Sequence, residues 1–502
     1  MSPQIPLSHA QRRLWFHHQM VGSDPTYNVP LVLRLAGRLD PEALEEAVAD
    51  VVARHESLRT VFPDVAGVPE QHVREGAAGR PVLHRRIVAS GDLPAVLREE
   101  TRHVFELATD LPIRATLLRA GPEEHVLLIL IHHIATDDWS STPLTRQLSE
   151  AYTARLSGAA PVWEPLPVQY VDYTLWQREV LGDENDPKSE LAAHLAYWTE
   201  ELAGAPEVLA LPADRSRPPV ASGRGGRVPF AWDEETQARL AALTRETGTT
   251  VFMALQAAVA TLLTRLGAGT DIPVGAAFSG RTEEALDDLI GFFTNTLVLR
   301  TDTSGTPSMR ELLLRTRETN LSAHAHQDCP FDRLVDALHP ARSLSHHPLF
   351  QVMLAHQNAG ENDLSLPGLS VGVEEVDTGV AKFDLAFVCA EAGGTLRGSL
   401  HYSADLFDAS SAALIAERLV RLVGAAAAAP DRPVSSLDLL SAEERIRLLT
   451  DWNDIESHVG ALWATRRPES ADRDAGRRVE GVVEARPGGR TGPESRTPAG
   501  PR

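Results

Sequence analysis

The stretch Glu124–Ser140, EHVLLILIHHIATDDWS, limits the possible folds of this chain more than any other. Its residues Val126–Ile131 form an unbroken apolar run with charged residues on either side. A run of this length is too short to span a membrane and is typical of a strand that is buried on both faces of a sheet. The sequence therefore predicts a strand here that is covered on both sides.

Two histidines, His132 and His133, follow this strand directly, and two aspartates, Asp137 and Asp138, come shortly after them. Neighbouring side chains of an extended backbone point to opposite faces, so only one of the two histidines can enter a given cavity. The other histidine must lie in the wall behind it. Asp137 comes after the strand end and can fold back to brace the loop. A single histidine at a strand end is more often structural, but a histidine pair with an aspartate at this spacing favours a functional site.

A metal centre is the first alternative, because histidine and aspartate are both metal ligands. Such a centre needs a third and a fourth ligand, and the sequence has no further cluster of cysteines or histidines that supplies them. The two cysteines, Cys329 and Cys389, form neither a disulfide framework nor a zinc site, which is typical of proteins in a reducing cytosol. We therefore predict no metal and a cytoplasmic location.

Length and charge restrict the function classes further. A chain of 502 residues has room for two or three domains, and its net charge of −21 argues against a nucleic-acid partner. The sequence contains neither a signal-peptide pattern at its start nor an apolar run of ~18 residues. We therefore expect no membrane association.

Seven motifs follow one another between residues 6 and 354 and resemble those of a known family. In this order they resemble the signature motifs of the condensation domains of nonribosomal peptide synthetases, in the chloramphenicol-acetyltransferase-like superfamily. Two positions depart from the pattern: Asp138 replaces the last residue of the signature HHxxxDG, and His347 stands where asparagine is commoner. The motifs are SHAQRRLW (8–15), RHESLRTVF (54–62), HHIATDD (132–138), YVDYTLW (170–176), LIGFFTNTLVLR (289–300), HQDCPFDRLV (326–335) and ARSLSHHPLFQVML (341–354).

The resemblance implies an α/β fold of α+β two-layer sandwiches, with two acetyltransferase-like lobes in a V-shaped pseudo-dimer around a central tunnel. We assign residues 1–180 to the N-terminal lobe and residues 181–435 to the C-terminal lobe. Residues 436–456 resemble the linker that leads to an adenylation domain. Residues 457–502 are rich in arginine, glycine and proline, a composition typical of disorder.

The same resemblance implies amide bond formation between two carrier-bound substrates. The donor is a peptidyl or aminoacyl thioester and the acceptor is the amine of an aminoacyl thioester. Both arrive on 4′-phosphopantetheine arms of upstream and downstream peptidyl carrier proteins, an adenylation domain normally follows, and the domain binds no cofactor of its own. The motifs are most similar to the subtype with a D-configured donor and an L-configured acceptor. An epimerization domain fits the motifs less well, and a heterocyclization domain would replace the histidine pair.

The family pattern also implies roles for individual residues. His133 takes the position of the general base or of the group that orients the acceptor amine, and His132 is the wall residue. Asp137 is expected to pair with a cation, and we predict that Arg281 is this partner and that the pair tethers the two lobes. The other motif positions that we single out are Arg59, Asn295 and Gln327.

Asp138 is the position that makes ordinary activity uncertain. A glycine there would let the backbone approach the reacting carbonyl closely. If the carboxylate of Asp138 faces the tunnel, its charge should raise the pKa of His133 and disfavour an oxyanion. We therefore hypothesise reduced or substrate-restricted activity. The alternative is a catalytically impaired remnant that only binds carrier proteins.

Overall fold

This computed structural model describes residues 4–22, 24–341, 343–358, 364–392 and 395–451. It divides into two compact units, Met1–Leu439 and Leu440–Arg502. The predicted disordered tail, residues 457–502, lies outside the described residues. Of the predicted linker, residues 436–439 belong to the first unit, where Leu437 and Leu439 are buried in a hydrophobic core.

Helices and strands alternate along the first unit. The helices that the structure describes there are α1 (His9–Val21), α2 (Pro41–Arg54), α3 (Leu93–Thr101), α4 (Ser141–Leu156), α5 (Tyr170–Leu181), α6 (Glu190–Glu201), α7 (Glu234–Thr247), α8 (Val251–Arg265), α9 (Met309–Ala325), α10 (Phe331–Leu338) and α11 (Ala409–Ala428). In the second unit, α12 (Ala442–Ile446) begins after Ser441, whose side chain accepts a hydrogen bond from the backbone of Glu444.

The described strands form two larger sheets and two sheets of two short strands each, β2 with β5 and β3 with β4. They are β1 (Asn28–Gly37), β2 (Thr60–Val61), β3 (Asp64–Val65), β4 (Val68–Pro69), β5 (His72–Val73), β6 (Leu83–Ile87), β7 (Ile113–Arg119), β8 (Glu124–His132), β9 (Gly225–Ala231), β10 (Asp271–Phe278), β11 (Asn295–Asp302), β12 (Val352–Asn358), β13 (Leu369–Glu374), β14 (Leu385–Ala392) and β15 (Thr395–Ser403).

The first sheet has the strand order β13-β1-β8-β7-β6. Its central strand is β8, which pairs antiparallel with β1 and with β7. Every residue of β8 after Glu124 is buried, which confirms the strand predicted from the apolar run. Asn28 at the start of β1 lies opposite His132 at the end of β8, so the residue before β1, Tyr27, lies next to His133.

The second sheet has the order β11-β10-β12-β14-β15-β9 and packs against its own hydrophobic core. Its three middle strands, β10, β12 and β14, run parallel, and the outer pairs are antiparallel. Helices α8 and α11 contribute much of the apolar surface of this core, including Leu255, Leu262, Leu419 and Leu422. Parallel strands covered by helices leave their strand ends as the natural place for a site.

One strand crosses from the second half of the chain to the first sheet. Strand β13 pairs antiparallel with β1 from Val32 to Gly37 and forms the edge of that sheet. Leu364 and Leu366, just before β13, are buried in the first core. A segment of residues 181–435, which the sequence analysis assigned to the C-terminal lobe, therefore completes the first sheet.

Among the described helices, none alone is long and apolar enough to cross a membrane. Helices α7 and α8 are long and apolar enough only when they are taken together, and they are bent by 104° at the break between them.

Candidate active site

The two histidines at the end of β8 have different surroundings. His132 is buried, and its Nδ1 accepts a hydrogen bond from the backbone N–H of Ile134 at 3.2 Å. Its ring lies between those of Tyr27 and Phe105. His133 begins a short 3-10 turn and remains partly open to solvent. One histidine therefore lies in a wall and the other borders open space, in the arrangement that strand alternation predicts.

The ring of His133 is held in one orientation. Its Nδ1 lies 2.7 Å from the carbonyl oxygen of Thr136, and its ring centroid lies 4.6 Å from that of Phe292. A carbonyl oxygen only accepts hydrogen bonds, so Nδ1 carries the hydrogen and the lone pair of the neutral ring is on Nε2. The backbone N–H of His133 donates to the carbonyl of Tyr27 at 2.8 Å. Nε2 is therefore the atom that can accept a hydrogen bond from a bound molecule.

The expectation that Asp138 raises the pKa of His133 is wrong. Burial, and after it the positive charge of Lys382, lowers the pKa of His133 to about 3. Arg13 adds to this decrease. The physical reason is that burial of the ring and the charges of Lys382 and Arg13 outweigh the hydrogen bond to Thr136, which favours the charged form. His133 is consequently a neutral imidazole at pH 7.

Asp138 interacts with groups other than His133. One of its carboxylate oxygens, Oδ2, accepts a hydrogen bond from Nε2 of Gln357 at 3.2 Å. Burial raises the pKa of Asp138, and the bond to Gln357 and the charge of Lys382 oppose this increase. The side chain is nevertheless open to solvent. Protein atoms surround the carboxylate of Asp138, and solvent still reaches it. Asp138 therefore lies in a recess of the molecule.

Lys382 lies in the same recess, and sequence reasoning did not single it out. Its Nζ lies 5.1 Å from the ring centroid of Tyr27, whose ring is 6.5 Å from that of His133. Burial lowers the pKa of Lys382 to about 8, although the charge of Asp138 opposes this decrease. We define the His133 recess by His133 and Asp138, which follow β8 of the first sheet, and by Gln357 in β12 and Lys382 before β14 of the second sheet. The available signal was composition, since Lys382 is one of two lysines among 48 basic residues.

Asp137 and Arg281 form the ion pair that the sequence analysis predicts. Nη1 of Arg281 lies 2.9 and 3.1 Å from the two carboxylate oxygens of Asp137. The side chains of Arg281 and Asp137 are 5% and 0% exposed. The pair joins the loop after β8, in the first sheet, to the loop after β10, in the second sheet.

The backbone of the motif 289–300 completes the environment of Asp137. Oδ2 of Asp137 accepts hydrogen bonds from the backbone N–H groups of Phe293 at 3.0 Å and Thr294 at 3.2 Å. Oδ1 accepts from the N–H and the hydroxyl of Ser140 at 3.0 and 2.8 Å. The buried charge is thus compensated by one cation and several donors. Ser140 and Thr294 were not singled out from the sequence, although Ser140 ends the stretch Glu124–Ser140 and Thr294 lies within the motif 289–300.

A glycine makes the approach of these loops possible. Gly280 has φ +65°, and a Cβ there would lie 2.1 Å from the carbonyl oxygen of Phe293. Any other residue would clash with that backbone, and a positive φ would add strain. The close approach lets the guanidinium of Arg281 lie 4.3 Å above the ring of Phe293.

The other motif positions support loops away from His133. Arg59 donates to the carbonyl of Arg74 at 2.8 Å and so stabilises the turn before β2. Asn295 donates to the carbonyls of Gln327 and Cys329 at 2.7 and 2.6 Å. The structure therefore brings Asn295 and Gln327 together. The hydrogen bonds described for Asn295 and Arg59 join them to the backbone of neighbouring loops.

Metal binding has no geometric support in the described part of the chain. No group of three or more histidine, cysteine, aspartate or glutamate side chains there is placed to hold an ion. What the His133 recess offers instead is a neutral hydrogen-bond acceptor with two cations nearby. Such an arrangement suits a reaction in which an amine or hydroxyl donates a hydrogen bond to Nε2.

Comparison with known proteins identifies the family. The family model described as "Condensation domain" matches residues 1–449. The chain therefore belongs to the condensation domains, whose fold is chloramphenicol-acetyltransferase-like and whose reaction in nonribosomal peptide synthetases is amide bond formation. The resemblance stated from the seven motifs is confirmed.

Individual relatives agree with this assignment. The chain is 48% identical over 486 residues to a dimodular nonribosomal peptide synthase of Bacillus subtilis, covering 96% of this chain and 20% of that protein. It is 49% identical over 488 residues to CymA, a probable non-canonical nonribosomal peptide synthetase of Salinispora arenicola, covering 95% and 6%. The chain thus spans a fifth or less of these two relatives.

A solved structure is also similar. In the complex of the X-domain and OxyB from teicoplanin biosynthesis, one chain is 37% identical to this one with a TM-score of 0.80. The match covers 88% of this chain and 97% of that chain.

Proposed function

We propose that this chain joins a donor acyl or peptidyl thioester to the α-amine of an L-aminoacyl thioester. The donor is held on the 4′-phosphopantetheine arm of an upstream peptidyl carrier protein and the acceptor on that of a downstream one. An adenylation domain normally comes next in such an assembly line. The observation that carries this proposal is the neutral, partly exposed ring of His133, whose Nδ1 is bound to Thr136 and whose lone pair is therefore on Nε2.

His133 orients the acceptor amine in this reaction. An ordinary α-amine has a pKa of ~8, so an imidazole with a pKa of about 3 cannot deprotonate the ammonium form at neutral pH. The amine therefore enters as the neutral base and donates a hydrogen bond to Nε2. Its nitrogen then attacks the thioester carbon, and holding the two reactants in line supplies ~7–11 kcal/mol of the barrier reduction.

The donor is proposed to end in a D-configured residue. The subtype with a D-donor and an L-acceptor is the one that four stretches together resemble most: LSHAQRRLWF, RHESLRT, HHIAxDxWS followed by PL, and NTLVLR. The acceptor is proposed to be L-configured for the same reason.

A condensation assay tests this function. One peptidyl carrier protein is loaded with N-acetyl-D-leucine or N-acetyl-L-leucine and a second with L-leucine, and the dipeptidyl thioester is measured by mass spectrometry. We expect amide formation with the D-donor at least about tenfold faster than with the L-donor. The control omits the acceptor. Faster reaction of the L-donor would contradict the subtype, and α-proton exchange in deuterated water without amide would favour an epimerization domain.

A binding platform is the second candidate function. Asp138 occupies the glycine position of the signature, and the similar X-domain structure is a complex with another protein, OxyB. On this alternative the chain binds carrier proteins or a partner enzyme without making an amide. Carrier binding without product, unchanged in His133→Ala, would support it.

Replacing Asp138 measures how much its carboxylate impairs condensation. We expect Asp138→Gly to raise kcat by about tenfold, because it removes a negative charge and opens space beside His133. Asp138→Asn is the matched control, because it removes the charge and keeps the size. The rate of amide formation is measured for both variants and the wild type. An unchanged rate in both would mean that Asp138 is harmless.

A further inference from the structure

The charged groups around the His133 recess include both cations and a carboxylate, and they come from distant parts of the chain. Lys382 precedes β14 and Arg13 is on α1, and both act electrostatically on His133. Asp138 is the carboxylate that faces Lys382 there. The titratable or charged groups that interact with Lys382 are Arg13, Tyr27, His132, His133, Asp138 and His401. Two cations therefore act on the ring that orients the amine, and one carboxylate interacts with the stronger of them.

We propose that Lys382 stabilises the oxyanion of the tetrahedral intermediate in amide formation. This inference rests on the proposed function. The amine nitrogen forms a bond to the thioester carbon, and the electron pair of the carbonyl bond moves to its oxygen. When that pair returns, the carbon–sulfur bond breaks, and the leaving thiolate takes up the proton lost from nitrogen. The product is an amide and a free phosphopantetheine thiol.

The same electrostatic field explains two properties of the recess. A positive potential at the ring of His133 disfavours the imidazolium form, which is one cause of its low pKa. The same positive potential stabilises a negative charge that develops within hydrogen-bond reach of Nε2. Burial is the larger cause of the low pKa of His133, and the charge of Lys382, which adds to it, is the part that also favours the oxyanion. Such preorganised charge is generally a large contribution to catalysis.

The position of Lys382 suits this role. Its Nζ lies 5.1 Å from the ring centroid of Tyr27, a cation–π contact, and the Tyr27 ring is 6.5 Å from that of His133. The side chain is open to solvent within the recess, so a substrate can approach it. A compact ammonium needs less room beside a substrate than a guanidinium.

Asp138 and Gln357 set the strength of this charge. Gln357 donates to Oδ2 of Asp138 at 3.2 Å and so holds the carboxylate in the recess. The carboxylate partly neutralises the field of Lys382. On this inference, the glycine-to-aspartate departure acts through Lys382 and not through protonation of His133.

Kinetic comparison of three variants tests the inference. The probes are the pantetheine thioesters of N-acetyl-D-leucine and L-leucine. We expect Lys382→Met to lower kcat by about 10- to 100-fold with an unchanged KM for the acceptor, and Lys382→Arg to restore most of the loss. Lys188→Met is the matched control, because the other lysine of the chain lies in an exposed turn. Equal activity of Lys382→Met and wild type, or equal loss in Lys382→Arg, would overturn the inference.

The pH dependence adds a readout that a purely structural role would not change. Lys382 is charged below a pKa of about 8 and neutral above it. The stabilising charge is therefore present at neutral pH and lost as pH rises through 8. We expect the ratio of kcat for Lys382→Arg to kcat for wild type to rise above pH 8, because arginine stays charged. A constant ratio would count against Lys382.

A binding experiment separates this inference from the proposed function. A phosphonamidate analogue of N-acetyl-D-leucyl-L-leucine carries the negative charge of the intermediate, and the corresponding amide is neutral. We expect wild type to prefer the anion, and Lys382→Met to reduce this preference by about 10- to 100-fold with Lys382→Arg unaffected. If wild type shows this pattern without turnover, the proposed function fails and the anion site stands. No preference in wild type overturns the inference.

Discussion

Replacing His133 with alanine is expected to lower kcat for amide formation by about 10²–10⁴-fold. The reason is that Nε2 of His133 is the proposed acceptor for the amine, and the ring is held for this by Thr136 and Phe292. Carrier-protein binding should not change, because the partly buried ring offers little surface to another protein. Single-turnover rates with loaded carriers give the chemical step directly.

His72→Ala is a suitable control for this prediction. His72 is on the short strand β5 with 44% of its side chain exposed, and the same chemical change there should leave kcat unaltered. The pH profile provides a second check, because a pKa of about 3 means that His133 stays neutral throughout the physiological range. A step near pH 6.5 in wild type that disappears in His133→Ala would contradict this account. Full activity of His133→Ala would end the enzymatic interpretation.

Replacing Asp137 with asparagine is expected to lower the free energy of unfolding by about 3–5 kcal/mol. The side chain is fully buried, and the change leaves the guanidinium of Arg281 without its counter-charge. It also replaces one acceptor oxygen by an amide group facing N–H donors of Ser140 or Phe293 and Thr294. Urea unfolding, followed by circular dichroism, measures the loss.

Asp431→Asn provides the comparison with a surface ion pair. Asp431 lies 2.8 Å from Arg310 and is 76% exposed, so its loss should cost less than ~1 kcal/mol. A double variant, Asp137→Asn with Arg281→Met, should cost less than the sum of the single changes, because the unpaired charge is gone. If the two single costs simply add, the two side chains do not interact energetically.

Much of the site was predictable from local sequence. The apolar run Val126–Ile131 is a buried strand because continuous hydrophobicity at that length suits few other structures. Alternation along the strand then required His132 and His133 to face different surroundings. The motif resemblance was sufficient to identify the family and to pair Asp137 with Arg281.

The electrostatic effect of the recess on the pKa of His133 was not predictable from local sequence. The direction of the His133 pKa shift depends on which charges meet at one point, and Lys382 and Arg13 come from parts of the chain hundreds of residues apart. From the sequence only Asp138 was visible nearby, so its negative charge was given too much weight. Coulomb interactions depend on the distance between charges in space, and local sequence patterns do not give this distance for residues far apart in the chain.

The sheet boundary between the lobes has a similar explanation. Strand β13 alternates only weakly between partly buried and exposed residues, so its partner is not readable from its own pattern. It joins the first sheet because β1 offers a free edge there.

By itself, the sequence determined the central strand, the different environments of the two histidines and the membership in the condensation-domain family. These follow from short-range periodicity and from motifs that lie within single segments. Only the tertiary structure decided that Gln357 binds Asp138, that Lys382 interacts with both Asp138 and His133, and that the ring stays neutral. Their encounter depends on two sheets and the loops between them, whose packing brings charges together across long separations in the chain.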